Sequence, residues 1–274
     1  MKTLKTKETA HIIVDYQNDF VKPWAPLYVP WAENLEIQIL KNIVKFNEKN
    51  IGNVFTMDRH NKFHKYLASK EWVKPFTKIS DEIYRPDHCM RDTEWAKLYW
   101  ELWKYVDRQN TLWCDMKYSE YIQKPELQRK FPILHKWTWI EEKWYSGFEN
   151  GQLDRLLKSN HVKNPYISNE IKNLFVSWVA TDYCVLATVL DALKLGYQVF
   201  VLADCIKWIW GNIVMDNDEE RIEEVRLQIE DAWWYVIDSD DIYFAENNGD
   251  KDSLVIVKAW RKVDLARANY GICA

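Results

Sequence analysis

Residues 173–204, NLFVSWVATDYCVLATVLDALKLGYQVFVLAD, read as a strand, a turn, a helix and a second strand. The run 173–180 is apolar and rich in β-branched and aromatic residues. Residues 182–195 carry apolar side chains at helical spacing, and 198–204 is again a short apolar strand. A strand, helix, strand unit of this length is the crossover of a parallel sheet. Working outward, HIIVDY (11–16) supplies another apolar strand, 32–49 an amphipathic helix, and 52–57 a strand that runs into Asp58. In that helix Leu35, Ile37, Ile39, Leu40, Ile43, Val44 and Phe46 form one broad apolar face. PILH (132–135) is a further short strand, followed late in the chain by a helix near 218–232 and a strand at 235–238. Alternating strands and helices predict a three-layer α/β/α fold around a central, mainly parallel sheet covered on both faces.

The whole chain, 1–274, reads as a single domain, since neither an internal repeat nor a clear linker divides it. The stretch 65–130 is rich in charge and aromatics and is expected to form loops and short helices over one rim of the sheet. Residues 246–274 read as a C-terminal extension. With 47% hydrophobic residues the chain can bury a core. A net charge of -4 leaves no basic surplus for phosphates, which argues against a general nucleic-acid binder. No apolar run reaches the roughly 18 residues of a membrane span, and the basic N-terminus lacks the apolar stretch of a secretory signal. Five scattered cysteines with no CxxC pair fit reduced thiols in a cytoplasm.

Ligand sites in open parallel sheets lie beyond the carboxyl ends of the strands. Asp15, Asp58, Lys136 and Cys184 each fall at or just past such an end, so they can share one rim. Cys184 stands where a buried strand turns into a helix. There the helix dipole and unsatisfied N–H groups stabilise a thiolate, and the same groups can bind an oxyanion. Taken alone, an isolated cysteine in an apolar helix is more often a core residue. Asp58, His60 and His64 follow a strand with the spacing D-x-H-x3-H, a donor set that suits zinc, iron or manganese. The plainer alternative is a polar surface loop that happens to hold two histidines. Asp15 alone reads equally as a turn or capping residue, Lys136 as a solvated lysine. His135 and His161 have no assigned role.

Five segments in order resemble the isochorismatase-like cysteine hydrolases, and the nicotinamidases among them in particular. They are DYQNDF (15–20), DRHNKFH (58–64), RPDHCM (85–90), HKWTWIEEKWYSGF (135–148) and VATDYCV (179–185). The resemblance spans most of residues 10–205 and implies the isochorismatase-like hydrolase fold. It implies Cys184 as nucleophile, Asp15 as general acid/base and Lys136 as the third catalytic member. It also implies an oxyanion hole from the backbone N–H groups of Ala180 and Cys184, with a cis peptide between Val179 and Ala180. One divalent metal ion would sit on Asp58, His60, His64 and His88, and Phe20 and Tyr145 would line the substrate ring. The implied reaction is deamidation of nicotinamide to nicotinate and ammonia, a step of NAD salvage, through a cysteine thioester. The implied partner is a small-molecule amide, and exposed aromatics would support a homo-oligomer.

Two departures stand out. Arg85 occupies the position three residues before His88 where the family commonly has tryptophan, which favours a related hydrolase acting on another small amide, ureido or carbamoyl compound. A catalytically inactive binding member is disfavoured, because every catalytic and metal position is filled. The second departure is compositional. The 16 Trp and 7 Gly together make 23 of 274 residues, 8.4%, an ordinary glycine content for a protein. Trp137 and Trp178 stand where the family prefers glycine, and Trp24, Trp31, Trp95 and Trp139 fall where glycine is expected. Many of these positions are therefore expected to be UGA codons that the source translates as glycine; the competing reading is a truly tryptophan-rich protein whose pocket is remodelled.

Overall fold

The structure, a computed structural model, describes residues 2–79, 82–99, 106–112, 131–137, 145–149, 151–158, 170–207, 235–244, 252–257 and 260–261. Thirteen strands are formed among them. They are β1 (Lys2–Lys5), β2 (Thr9–Val14), β3 (Gly52–Arg59), β4 (Thr77–Ile79), β5 (Glu82–Tyr84), β6 (Val106–Leu112) and β7 (Phe131–Trp137). The others are β8 (Asn173–Trp178), β9 (Gln198–Leu202), β10 (Tyr235–Ile237), β11 (Ile242–Phe244), β12 (Ser253–Ile256) and β13 (Trp260–Arg261). The helices are α1 (Asn18–Val21), α2 (Glu36–Glu48), α3 (Gln152–Lys158) and α4 (Leu186–Lys194).

Eight strands form the central sheet in the order β13-β10-β9-β8-β2-β3-β7-β6. Every pair is parallel except β10 with β13. The predicted α/β class and the central parallel sheet are what the structure has. Alternation along the inner strands decides which face each side chain covers. Ile13, Phe55, Phe175 and Phe200 lie on one face, against Ile39, Ile43 and Phe46 of α2. Phe46 stacks on Phe175 with ring centroids 5.1 Å apart. Ile12, Val54, Val176 and Val201 lie on the other face, against Leu153, Leu156 and Leu157 of α3 and Val189 and Ala192 of α4.

The chain leaves β2 for β3 on one side and later resumes at β8 on the other. The crevice between the carboxyl ends of β2 and β8 is thus the topological switch point, where open α/β sheets bind ligands.

Several expectations change in detail. The apolar face of α2 is narrower than its sequence suggested: Ile37 is 67% exposed and Val44 is also exposed, while Asn42 is buried and donates to Ser239 Oγ at 2.6 Å. The stretch 65–130 was expected to hold loops and short helices. It contributes the β4–β5 ladder and an edge strand, β6, paired to β7. Part of the C-terminal extension, β12, pairs with β1 and β11 in a separate three-stranded antiparallel sheet. The helix expected near 218–232 lies outside the described residues, as do Trp139, His161 and 262–274. Among the described residues the cysteines Cys89, Cys184 and Cys205 are free thiols, and no helix is long and apolar enough to cross a membrane.

Candidate active site and metal centre

β2 ends at Val14, which pairs with Thr56 of β3 on one side and Trp178 of β8 on the other. The next residue, Asp15, is fully buried and takes a left-handed backbone at φ 54°. Its N–H donates to the Thr56 carbonyl at 3.1 Å, and Thr56 Oγ1 donates to its Oδ1 at 2.8 Å. The carboxylate is thereby fixed in the crevice.

Cys184 lies in a wide π-type turn, Thr181–Val185, that leads from β8 into α4. It is buried. The Val179–Ala180 peptide is cis, and the N–H groups of Tyr183 and Val185 donate back to the Ala180 carbonyl, each at 3.1 Å. The Cys184 carbonyl accepts from Thr188 Oγ1 at 2.7 Å, and that hydroxyl oxygen accepts from Gly147 N–H at 3.0 Å. Gly147 in turn packs so closely that a Cβ there would stand 3.0 Å from Thr56 Cγ2. Thr56 and Thr188 thus tie Asp15 at the end of β2, the Tyr145–Gly147 loop and the Cys184 turn together. Sequence reading assigned neither threonine.

Lys136 is the register partner of Asp58 across β3 and β7, which puts its backbone on the same rim; its side chain lies outside the described set. Asp58 itself is positioned by Gln17. The Gln17 amide donates to the carbonyls of Asp58 and Ala96 at 2.9 and 2.8 Å and accepts from Asp58 N–H at 2.6 Å.

The carboxylate of Asp58 and the rings of His60 and His88 converge in a buried cluster. His60 Nε2 is 2.9 Å from Asp58 Oδ2 and 3.1 Å from His88 Nε2, and His88 Nε2 is 3.5 Å from Asp58 Oδ2. A bridge between His60 and Met90 holds the two segments side by side. His88 Nδ1 lies 2.7 Å from the Pro86 carbonyl, which accepts its proton and leaves the Nε2 lone pair facing the cluster. Two imidazole nitrogens and a carboxylate oxygen turned on one another at this spacing fit a shared divalent cation. His64, expected as a fourth ligand, is buried with its ring 4.5 Å from that of His60, but it is not part of the converging group.

A further carboxylate went unassigned from sequence. Asp19 is buried in α1, accepts the Cys89 N–H, and has Oδ1 with no hydrogen-bond partner. Burial pushes its pKa up, partly offset by the Cys89 N–H. The signal was present in DYQNDF, whose second acid sits one helical turn after the first.

The two expected substrate-lining aromatics fall on either side of the crevice. Phe20 meets His88 edge-on at 6.0 Å. Tyr145 lies 6.1 Å from Tyr183, the residue before Cys184, and Arg85 sits over both tyrosine rings.

Residue 178 has a conformation that an indole does not favour. Trp178 has φ 106°, is fully buried, leaves Nε1 without a hydrogen-bond partner, and crowds Tyr16 with centroids 3.7 Å apart. Trp31 and Trp72 also have left-handed backbones, at φ 63° and 54°. That region suits glycine.

A match to the isochorismatase domain covers residues 121–224. The nicotinamidase of Escherichia coli is 28% identical over 203 residues, 71% of this chain and 81% of that protein. The nicotinamidase of Saccharomyces cerevisiae is 26% identical over 249 residues, 84% of this chain and 95% of that one. Among solved structures, the pyrazinamidase of Pyrococcus horikoshii in complex with zinc superposes with a TM-score of 0.58 at 27% identity, covering 84% of this chain and 99% of that chain. With its parallel sheet and a cysteine at the switch point, the chain is similar to the isochorismatase-like hydrolases over the matched residues. Its matched relatives are nicotinamidases and pyrazinamidases.

Proposed function

We propose that this protein hydrolyses nicotinamide to nicotinate and ammonia, a step of NAD salvage. The observation that carries the reading is the pairing, across one switch-point crevice, of the Cys184 turn with the buried, hydrogen-bonded Asp15. The names of the relatives support the choice of amide.

Cys184, as thiolate, attacks the amide carbon, and the N–H groups of Ala180 and Cys184 receive the oxyanion. Asp15 takes the thiol proton and passes it to the leaving nitrogen, so ammonia departs and a thioester remains. Asp15 next deprotonates a water, which attacks the thioester; nicotinate leaves and the proton returns to sulfur. Lys136, on the neighbouring strand end, favours both anions through its charge. Asp58, His60 and His88, with His64 beside them, would hold zinc, iron or manganese, which supplies an electrophilic anchor for the substrate ring. Phe20 and Tyr145 give the planar ring apolar walls.

The test is ammonia release from nicotinamide by metal-loaded protein, with Cys184→Ala as control. Release that Cys184→Ala abolishes supports the reading. Folded, metal-loaded protein that releases none removes nicotinamide as the substrate.

A further inference from the structure

Arg85 is half-buried beside the nucleophile turn. Its guanidinium carbon lies 5.1 Å from the centre of the Tyr145 ring and 5.4 Å from that of Tyr183. It hydrogen-bonds the Tyr145 side chain, and its charge acts on Cys184. Its backbone is clamped, since Arg85 N–H donates to Tyr66 and its carbonyl accepts from Ala68. Among the described residues no carboxylate pairs with it.

A half-buried guanidinium with no carboxylate beside it among the described residues has its lost hydration only partly replaced by the Tyr145 hydrogen bond and the two rings. It keeps its proton at any physiological pH and offers a planar fork of donors matched to a carboxylate. Two tyrosine rings pack against the guanidinium, which lowers the ordering cost of a bidentate contact. A purely structural arginine would instead be paired within the protein. A cation serving only the thiolate would need no fixed plane.

We propose that Arg85 sets specificity: it binds a carboxylate on the substrate, so the site takes planar amides bearing an acidic group better than neutral amides of the same shape. This rests on Cys184 being the nucleophile of an amidohydrolase and names the class of amide within that activity.

Iodoacetate and iodoacetamide test it, because they alkylate the same thiol, are nearly equal in size, and differ by one negative charge. Metal-loaded wild-type protein, Arg85→Gln and Arg85→Lys are labelled, and modification of the Cys184 peptide is followed by mass spectrometry. The iodoacetate-to-iodoacetamide rate ratio should fall about 10- to 100-fold in Arg85→Gln, the factor of one charge-assisted contact. Arg85→Lys, which keeps charge but not the fork, should recover part of it. The ratio of kcat/KM for a ring-carboxylated nicotinamide over nicotinamide should fall in the same order. An unchanged reagent ratio overturns the proposal. So does an equal slowing with both reagents, which would assign Arg85 to the thiolate alone. Should the nicotinamide reading fail, ammonia release is absent while the reagent ratio still follows Arg85; should this proposal fail, ammonia is released and the ratio does not move.

Discussion

Replacing Trp178 by glycine and, separately, by alanine isolates one backbone angle near the Cys184 turn. Both variants remove the indole, so both lose its burial and both relieve its contact with Tyr16 and its unpaired Nε1. They differ only in the Cβ. At an ordinary position alanine is the more stable of the two by about 0.5–1 kcal/mol, because glycine has more unfolded-state freedom to lose. At φ 106° the Cβ is strained, at a cost of order 1–3 kcal/mol. Subtracting the glycine entropy leaves Trp178→Gly ahead of Trp178→Ala by roughly 1 kcal/mol at the middle of both ranges and at most about 2.5 kcal/mol, a reversal of the usual sign. Urea unfolding of the two variants, read by far-UV circular dichroism, gives the difference directly. In a protein of this size it corresponds to a midpoint gap on heating of roughly 2–8 °C. Equal stabilities, or alanine ahead, would refute a left-handed backbone at 178 and with it the structural support for glycine there.

Trp72, 95% exposed at φ 54°, has little packing to lose, so Trp72→Gly should raise stability by up to about 1 kcal/mol in the same assay; a loss would contradict the backbone assigned there. Peptides of the protein isolated from its source and spanning residue 178 should carry glycine by mass spectrometry, and tryptophan would end the recoding idea. His88→Ala removes one of three converging ligands and should lower bound metal at least tenfold by elemental analysis; unchanged metal content would take His88 out of the site. His11, buried between Asn53 and Ser177, has its pKa lowered by desolvation from 6.5 to about 4, partly offset by the Asn53 hydrogen bond. The unfolded chain therefore takes up this proton first as pH falls, so stability is full above pH 6.5 and declines between 6.5 and about 4. The loss totals about 3 kcal/mol, and His11→Asn should flatten that acid limb in unfolding midpoints measured against pH.

The inner strands were legible because β2, β3, β8 and β9 are buried on both faces and read as nearly unbroken apolar runs. Asp15, Asp58 and Cys184 were legible for a related reason: each sits where such a run gives way to polar residues. Other elements left no such mark. β6, VDRQNTL, is polar between its terminal Val106 and Leu112, as a strand at one end of the described sheet can be. β1 and β12 are short, and their partnership joins residues about 250 positions apart. Ile37 and Val44 misled because helical periodicity finds apolar residues but not what covers them. Thr56 and Thr188 were invisible because they act through hydrogen bonds between segments far apart in sequence.

Those two threonines explain how the site holds its shape. The Asp58, His60 and His88 cluster belongs to the end of β3 and the segment carrying His88; Cys184 belongs to the turn between β8 and α4. The switch point parts the chain between them, so geometry across the crevice depends on side chains that span it. Thr56 holds Asp15 and packs on Gly147, and Thr188 joins Gly147 to the carbonyl of Cys184. Gly147 is the tight point of that arrangement, because a Cβ there would stand 3.0 Å from Thr56 Cγ2 and one of the two would have to give by a few tenths of an ångström. Tyr145 carries Arg85 with it. The residue proposed to choose the substrate is thus held by the same contacts that align the acid and the thiol, and a shift in one would be felt in all three.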